Sequence, residues 1–522
     1  MSDPKIFDHV VDITRLRAAR HPEDIAYWFE GRETSYAALD ERACRIANGL
    51  ISLGVQPGER VAFLGKNMDI YYEILFGVVK ARGCMTGVNN RLAPPEFAYV
   101  LNDCEASVLF VASDFFDSID SIRAECPRLK HVIAIEGSHD GWPDYEPWRD
   151  SQSATDPKLE NDGDDDVIQL YTSGTTGFPK GVQLSSDNYV AFFRQAFEFG
   201  WAQYEEGDVA LNCMPLFHVA GVNFGLLTAA QGAKAIVLRD IDPQAILKLV
   251  EDHKVRHTFW VPAVILMLTQ QPNIREIDFS SLENVSYGAS PIAEDLLKTA
   301  VDIMGCKFHQ LYGLSETIGA GACLPPEAHD PSWGKLRACG APWPGALVRC
   351  VDGDGKPVPT GDVGEIVIKA AFVMKGYWKR PDATAEAVRD GWFHTGDAGY
   401  FDEDGFLYIH DRVKDMIVSG GENVYPAEVE NALFSHPEIA DVAVIGIPSE
   451  KWGEEVKAIV VRQPGTDPSP EDIIAFARER IAAYKAPKSV DFIEELPRNP
   501  SGKILRKDLR EPYWKGIERR VG

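Results

Sequence analysis

The chain has 522 residues, of which 45% are hydrophobic and 25% are charged, and its formal net charge is −26. At roughly 100–200 residues per domain this length predicts several globular units, which excludes a short peptide and a single small binding module. The apolar content excludes a disordered chain. A strongly acidic chain repels polyanions, so general nucleic-acid binding is not expected, although a small phosphorylated ligand held by local donors remains compatible.

Nine cysteines are scattered between Cys44 and Cys350 without close pairs. This pattern fits neither a disulfide framework nor a zinc site, and reduced thiols are the simpler interpretation. Residues 1–20 carry spread charges without an apolar core segment, and no apolar run is long enough to cross a bilayer. We therefore expect a cytoplasmic protein without a transmembrane segment.

Helix and strand patterns alternate in the first two thirds of the chain. The predicted elements are a helix over 36–53, a strand over 60–64, a helix over 70–82, a strand ending at Tyr171, a helix over 189–199, and strands over 209–213 and 233–238. This α/β alternation predicts two mostly parallel sheets covered by helices.

The pattern changes after residue 340. Short alternating strands over 347–351, 364–369 and 406–409 are separated by turn residues, which is typical of a small β-barrel-like subdomain. Beyond Asp411 the prediction is a helix over 426–433, strands over 442–447 and 456–462, a helix over 471–484 and a further strand. We predict an N-terminal domain over 1–411 and a small α+β domain over 412–522.

A loop rich in glycine and hydroxyl side chains follows the strand that ends at Tyr171. Residues 171–181 read YTSGTTGFPKG. Glycines allow backbone N–H groups to approach a polyphosphate, hydroxyls add donors, and Lys180 adds a positive charge. It is not the common P-loop, because Pro179 stands where that motif needs its second glycine. A flexible Ser/Thr/Gly turn is the alternative that composition alone leaves open.

This loop resembles the phosphate-binding signature of the adenylate-forming enzymes, which include acyl-CoA synthetases, adenylation domains and beetle luciferases. Further signatures of that family follow in its order: PLFHVAG at 215–221, YGLSET at 312–317, GWFHTGD at 391–397, DRVKD at 411–415, SGGENVYP at 419–426 and PRNPSGK at 497–503. The resemblance extends from about residue 24 to residue 509. It implies the acyl-CoA synthetase or fatty acid–CoA ligase branch, with a C-terminal domain that rotates between two half-reactions.

The resemblance also implies functional residues. Catalytic roles fall to Lys503, Glu316 and Thr172; Lys503 would bridge the substrate carboxylate and the α-phosphate, and Glu316 would hold Mg²⁺. Tyr312 would offer a face to adenine, and Asp397 and Arg412 would lie near the ribose. The full set implied for ATP and AMP is Thr172, Ser173, Gly174, Thr175, Thr176, Gly177, Lys180, Gly288, Ala289, Ser290, Gln310, Leu311, Tyr312, Gly313, Ser315, Asp397, Arg412 and Lys503.

The implied acid pocket is mostly apolar and lacks an acidic residue that could bind an amino group, so a hydrophobic carboxylic acid is expected. Its predicted segments are 219–226, 261–266, 287–291 and 310–320, and its predicted residues are His218, Val219, Gly221, Val261, Gly288, Leu311 and Gly313. His218 is assigned to this pocket and not to proton transfer. Leu311 stands where many fatty-acid and cinnamate ligases have glycine, and its branch would narrow or shorten the pocket.

The thiol acceptor that the resemblance favours is CoA, with Gly420, Gly421 and Glu422 beside its pantetheine arm and Lys414 at the hinge. The predicted activity is ATP-dependent formation of an acyl-adenylate and then an acyl-CoA, on medium- or long-chain fatty acids. Three alternatives stay open: an aryl or alicyclic acid, an acyl-AMP ligase that loads a carrier protein, and a non-catalytic nucleotide-binding relative, which would typically have lost Lys503 or Glu316. The sequence leaves a homodimer open.

Overall fold

The computed structural model describes residues 7–172, 179–197, 202–290, 292–412, 415–419, 422–449, 452–498 and 504–515. For residues 410–412, 418, 422 and 423 it describes the backbone.

The largest sheet has nine described strands, with its parallel strands in the centre and its antiparallel strands at both edges. They are β1 (Ile25–Phe29), β2 (Arg32–Ser35), β9 (Val209–Asn212), β10 (Lys234–Val237), β11 (His257–Trp260), β12 (Asn284–Gly288), β13 (Lys307–Tyr312), β14 (Ala322–Leu324) and β15 (Ala341–Pro342). The order across the sheet is β15-β14-β13-β12-β11-β9-β10-β1-β2.

A second sheet has seven described strands in the order β18-β8-β7-β4-β3-β5-β6. They are β3 (Arg60–Leu64), β4 (Cys84–Gly87), β5 (Val108–Ala112), β6 (His131–Ile135), β7 (Asp166–Thr172), β8 (Lys180–Ser185) and β18 (Gly376–Tyr377). The pairs from β7 to β6 are parallel, whereas β8 is antiparallel to β7. The β7–β8 hairpin therefore ends the parallel part of this sheet.

Two smaller sheets follow. The antiparallel one comprises β16 (Leu347–Val351), β17 (Gly364–Lys369), β19 (Val388–Arg389), β20 (Trp392–Phe401) and β21 (Leu407–Arg412). The last one comprises β22 (Ile417–Ser419), β23 (Glu422–Val424), β24 (Ile439–Ser449), β25 (Gly453–Arg462) and β26 (Ser489–Phe492). Its inner face has a cluster of buried residues of its own, from Ile417 to Val490.

Helices cover the sheets. They are α1 (Asp12–Arg20), α2 (Tyr36–Ser52), α3 (Ile70–Lys80), α4 (Pro94–Asp103), α5 (Phe116–Ile122), α6 (Tyr145–Asp150), α7 (Ser186–Ala196), α8 (Val219–Gln231), α9 (Pro243–His253), α10 (Pro262–Thr269), α11 (Glu294–Met304), α12 (Pro381–Ala387), α13 (Pro426–Phe434), α14 (Pro470–Arg478) and α15 (Arg506–Trp514). None of the helices in the described ranges combines the length and apolar character needed to cross a bilayer.

The two large sheets share one hydrophobic core. Tyr27 of β1 stacks on Tyr72 of α3 with ring centroids 4.4 Å apart, and the Tyr72 hydroxyl donates to the Gly221 carbonyl oxygen of α8 at 3.1 Å. These buried aromatic contacts join elements of both sheets and fix the start of α8 against α3. The carboxyl ends of β7, β12 and β13 carry Thr172, Gly288 and Tyr312, where ligands of α/β folds commonly bind.

The predicted α/β architecture, with two mostly parallel sheets, a small antiparallel sheet and a C-terminal α+β unit, is confirmed. Two helix boundaries were wrong. The helix predicted over 189–199 begins at Ser186, because Ser185 and Asn188 form a reciprocal capping box. The helix predicted to reach residue 484 ends at Arg478, before the turn that leads into β26. The domain boundary at residue 411 stays a prediction.

Candidate functional site

A cavity of about 860 Å³ opens between the large sheets and the small antiparallel sheet. Its walls come from the β7–β8 hairpin, the start of α8, the end of β13, and β20 with its neighbours. The sequence-predicted residues that line it are Thr172, Lys180, His218, Val219, Ala289, Leu311, Gly313, Ser315 and Glu316. The fold thus brings nine predicted residues from distant parts of the chain to one cavity.

The two ends of the phosphate-binding loop are fixed by hydrogen bonds. Thr172 and Lys180 are register partners on β7 and β8. The Tyr171 hydroxyl donates to Asp103 Oδ2 at 2.7 Å, and the Tyr99 hydroxyl donates to the Pro179 carbonyl oxygen at 2.9 Å. Helix α4 therefore holds both strands of the hairpin. The intervening residues Ser173, Gly174, Thr175, Thr176 and Gly177 lie outside the described residues.

Glu316 lies in a short 3₁₀ turn (Ser315–Thr317) directly after β13 and is only 7% exposed. Its Oε1 accepts a hydrogen bond from the Tyr377 hydroxyl at 2.8 Å, and its carbonyl oxygen accepts from the Met374 N–H group at 2.8 Å. Burial, and next the Glu316 carboxylate, raise the pKa of Tyr377, so the phenol stays a donor. Lys180 Nζ lies 4.9 Å from the centre of the Tyr377 ring.

The surroundings of Glu316 fit a Mg²⁺ ion held jointly with a nucleotide. A hydrogen-bond donor is found for Oε1, whereas Oε2 has no protein donor among the described residues. Within the described ranges there is no group of three or more His, Cys, Asp and Glu residues that could form an all-protein cage. Mg²⁺ typically binds through one or two carboxylates together with substrate phosphates and water.

Tyr312 and Asp397 form a buried pair beside the cavity. The Tyr312 hydroxyl donates to Asp397 Oδ2 at 2.8 Å, and burial followed by the Asp397 charge raises the pKa of Tyr312. Asp397 is the register partner of Arg412, whose side chain is outside the described part. Tyr312 and Asp397 do not themselves line the cavity, but their neighbours Gly313 and Gly396 do.

Glu365 and His394 also line this side of the cavity, and the sequence reasoning missed their roles. Glu365 Oε2 lies 2.7 Å from His394 Nδ1, and Glu365 Oε1 accepts from the Gly396 N–H group at 3.2 Å. One carboxylate thus fixes the turn that leads to Asp397. His394 belongs to the GWFHTGD motif, which was the available signal, whereas nothing in the sequence pairs Glu365 with it.

Close backbone contacts explain two glycines. Gly288 pairs with Leu311 between β12 and β13, and a Cβ on Gly288 would overlap the Leu311 carbonyl oxygen. A Cβ on Gly313 would overlap the backbone of Gly319. Ala289, which follows Gly288, lines the cavity with a left-handed φ of 70°, a strained conformation for alanine. Ser290 comes next and does not line the cavity.

Helix α8 begins at the cavity. His218 is its N-cap residue, and its Nδ1 accepts from the Ala220 N–H group at 3.3 Å, which is the structural role that a lone histidine commonly has. Val219 lines the cavity, but Gly221 does not, because the helix turns it against the backbone of Pro215. The small size of Gly221 serves this packing.

The apolar wall of the cavity includes several buried aromatic side chains, and its members were not predicted individually. They include Phe192, Phe224, Leu227, Phe259 and Trp343, all at most 9% exposed. Phe192 and Trp343 stack with centroids 5.8 Å apart. The segment 261–266 contributes no lining residue to this cavity, and the placement of Val261 in the acid pocket stays a prediction. Val261 caps α10, and Phe259 lines the cavity instead.

Several predicted site residues are not described by the structure, or are described by their backbone alone. Lys414, Gly420, Gly421 and Lys503 lie outside the described residues, and Glu422 is described by its backbone alone. Arg498 and Leu505, which stand on either side of 499–503, both line the cavity.

Comparison with known proteins places the chain in a family. Residues 14–378 match the family of AMP-binding enzymes, and residues 428–503 match the AMP-binding enzyme C-terminal domain. The chain is 40% identical to the fatty acid–[acyl-carrier-protein] ligase ScoC of Streptomyces coeruleorubidus over 98% of each chain. It is 40% identical to the feruloyl-CoA synthase of an Amycolatopsis species over 95% of this chain and 97% of that one. The structure of ATP-bound MatB from Rhodopseudomonas palustris matches with a TM-score of 0.88 and 30% identity, over 98% of this chain and 100% of that one.

The family match covers well over half of the chain, and its relatives match at full length. The chain therefore belongs to the AMP-binding enzyme family and is an ATP-using acid–thiol ligase of the adenylate-forming superfamily.

Proposed function

We propose that the enzyme is an acid–CoA ligase that acts on medium- or long-chain fatty acids in two half-reactions. The observation that carries this proposal is that one cavity is lined both by the flanks of the phosphate loop with Glu316 and by a buried apolar wall. Such a cavity can hold a nucleoside triphosphate and a hydrophobic acid side by side, with the carboxylate of the acid next to the phosphates.

In the first half-reaction a carboxylate oxygen attacks the α-phosphorus of ATP. A bond forms between the carboxylate oxygen and the α-phosphorus. The bond between the α-phosphorus and the oxygen that bridges to the β-phosphorus breaks, and pyrophosphate leaves with the electron pair. Both reacting groups are negative, so fixed positive charges are needed where they meet. We assign Lys180 to the phosphates and Lys503 to the carboxylate and α-phosphate. Mg²⁺, when bound at Glu316, supplies further neutralisation of phosphate charge.

The assignment of Lys503 is supported by its neighbours. Arg498 and Leu505, which flank the PRNPSGK motif closely, line the cavity, and Leu505 is two residues beyond Lys503. Two residues of extended chain span about 7 Å. A lysine side chain can cover a similar distance, so Lys503 is close enough in the chain for its ammonium group to reach the cavity. Arg498 and Leu505 thus bring the C-terminal segment to the cavity wall, which supports the assignment of Lys503 to the first half-reaction.

The nucleoside is assigned to the pair Tyr312 and Asp397. The hydrogen bond from Tyr312 orients the Asp397 carboxylate, and Arg412 lies opposite Asp397 in the strand register. Glu365 fixes the preceding turn through Gly396.

In the second half-reaction the CoA thiol attacks the acyl carbonyl carbon and a C–S bond forms. The bond between that carbon and the phosphate oxygen breaks, AMP leaves with the electron pair, and the thiol proton is released. We assign Gly420, Gly421 and Glu422 to the pantetheine arm, and Lys414 to the hinge between domains over 1–411 and 412–522. Loading of a carrier protein, as the name of ScoC states for that enzyme, is the alternative for the acceptor.

The aromatic wall favours a second candidate for the acid. Phe192 and Trp343 stack at the cavity and Phe259 adds a third ring, so the wall offers flat surfaces to an aryl acid. The name of the feruloyl-CoA synthase relative states such a substrate for that enzyme. Straight-chain acids remain our first proposal, because Phe224 and Leu227 extend the wall with ordinary apolar surface.

The test is AMP release with Mg-ATP and CoA over straight-chain acids of increasing length, with ferulate, benzoate and a cyclohexane acid beside them. A maximum among the straight chains supports the proposal. A maximum among ring acids selects the aryl candidate, and activity with a carrier protein that CoA does not replace contradicts the proposed acceptor.

A further inference from the structure

Asn223 is a polar side chain among the apolar residues that line the cavity. It lies on α8, beside Phe224, and is 8% exposed. Both ends of its amide are hydrogen-bonded: Nδ2 donates to the Ile318 carbonyl oxygen at 2.7 Å, and Oδ1 accepts from the Tyr189 hydroxyl at 3.0 Å. Buried polar groups are costly to leave unpaired, so these two bonds fix the side chain. Asn223 therefore joins α7, which carries Tyr189, to the loop that follows β13.

The direction of each bond follows from the groups involved. A carbonyl oxygen can only accept, so the NH₂ group of Asn223 must face Ile318. The amide oxygen then faces Tyr189, whose hydroxyl must donate. Tyr189 is fully buried, and burial raises the pKa of its hydroxyl, so the phenol keeps the hydrogen that this bond requires.

Ile318 has a backbone conformation that is unfavourable for its side chain. Its φ is 55°, in the left-handed region, which a residue with a branched Cβ rarely adopts. Strain of this kind persists only where the surroundings hold the residue in place. The Ile318 N–H group donates to the Ser315 carbonyl oxygen at 3.2 Å, and its own carbonyl oxygen accepts from Asn223. Asn223 thus supplies one of the two bonds that hold this peptide.

Ile318 comes two residues after Glu316 and directly follows the 3₁₀ turn that carries it. The Glu316 carbonyl oxygen is fixed by the Met374 N–H group, whereas Asn223 fixes the chain just beyond the turn. A change in the backbone of Ile318 would therefore shift the turn and its carboxylate. Mg²⁺ demands near-ideal octahedral geometry, so a small displacement of a ligand weakens its binding.

We propose that Asn223 and Tyr189 are positioning residues for the magnesium site, because they hold Ile318 in its left-handed conformation and so set where Glu316 meets the metal and the ATP phosphates. This role rests on the proposed function, and in particular on the assignment of Mg²⁺ to Glu316. It also connects the acid pocket with the metal site, since Asn223 and Ile318 both line the cavity.

The test measures how strongly Mg²⁺ tightens the binding of α,β-methylene ATP, an analogue whose α–β bridge cannot be cleaved. Calorimetry gives its dissociation constant with EDTA and with Mg²⁺, and the ratio of the two constants is the metal effect. We expect a metal effect of at least about tenfold in the wild-type protein and below about threefold in Asn223→Leu. Tyr189→Phe keeps the ring and removes only the hydroxyl, and it should reduce the metal effect by about half or more.

Asn212→Leu is the matched control. Asn212 is 1% exposed, and its Nδ2 donates to the Tyr72 hydroxyl at 2.8 Å and to the Gly221 carbonyl oxygen at 2.9 Å. It also joins a buried tyrosine to a backbone carbonyl, but that carbonyl is not in the loop of Glu316. This variant should lose stability and keep the wild-type metal effect.

Ile318→Gly tests the role of the strained backbone. Glycine adopts the left-handed region without a steric penalty, so it needs no bond from Asn223 to stay there. In the double variant Asn223→Leu/Ile318→Gly the metal effect should lie within about twofold of that in Ile318→Gly alone. A further fall as large as that caused by Asn223→Leu in the wild-type background would overturn the proposed role of Ile318.

An unchanged metal effect in Asn223→Leu, or an equal fall in Asn212→Leu, would also contradict the proposal. Glu316→Ala separates it from the assignment on which it rests. If Glu316→Ala loses the metal effect while Asn223→Leu keeps it, the positioning role alone is wrong. If Glu316→Ala keeps the metal effect, the magnesium assignment is wrong as well. Should Asn223→Leu not fold, Tyr189→Phe decides the question.

Discussion

Substitution of Gly288 by alanine tests how closely β12 and β13 must approach for catalysis. A Cβ at this position would overlap the Leu311 carbonyl oxygen, far inside the 3.0 Å below which real Cβ atoms are essentially never found. The atoms that this Cβ would meet are all backbone atoms of Leu311, and no side chain can move aside to make room. Strands β12 and β13 must therefore separate by about 1 Å at the cavity edge. A displacement of that size at reacting groups costs roughly 100-fold in rate, or about 2.7 kcal/mol.

The expected result for Gly288→Ala is a fall of about 100-fold in kcat/KM for acid-dependent pyrophosphate release, with a folded protein by circular dichroism. Gly353→Ala is the control, because a Cβ there meets nothing within 4 Å. It should stay within about twofold of wild type. Activity of Gly288→Ala above half of the wild-type value would refute the argument that this strand contact positions the site.

Three further predictions concern the site and the core. Lys503→Ala should reduce acyl-adenylate formation by at least 100-fold yet spare thioester formation from supplied acyl-adenylate, and equal loss in both half-reactions would contradict its assignment. Leu311→Gly should extend the range of accepted chain lengths, since Leu311 lines the cavity, and an unaltered acid profile would show that Leu311 does not limit the pocket. Burial lowers the pKa of His309 to about 3 and that of His329 to about 4, below the value of about 6.5 in the unfolded chain. Between pH 6.5 and 5 the unfolded state therefore takes up protons that the folded state does not, and stability should fall by about 3 kcal/mol in total, which urea unfolding at several pH values measures.

The fold class followed from local sequence patterns. The helix at Tyr36–Ser52 and the strands at Arg60–Leu64 and Leu347–Val351 were predicted almost to the residue, because periodicity and flanking turn residues act within a few positions of the chain. The predicted start of a helix was wrong where a side-chain cap determines it, as at Ser185. The motifs also named several polar cavity residues, among them Thr172, Lys180 and Glu316, since phosphate chemistry restricts residue types at fixed spacing.

What the sequence by itself determined is the family, the order of elements and the polar residues of its motifs. Only the tertiary structure decided the aromatic wall and the partners of the motif residues. Phe192 and Trp343 come from distant segments, and nothing in local periodicity distinguishes such side chains from ordinary core. The same holds for Glu365 beside His394, because their contact joins chain segments that only folding brings within 3 Å.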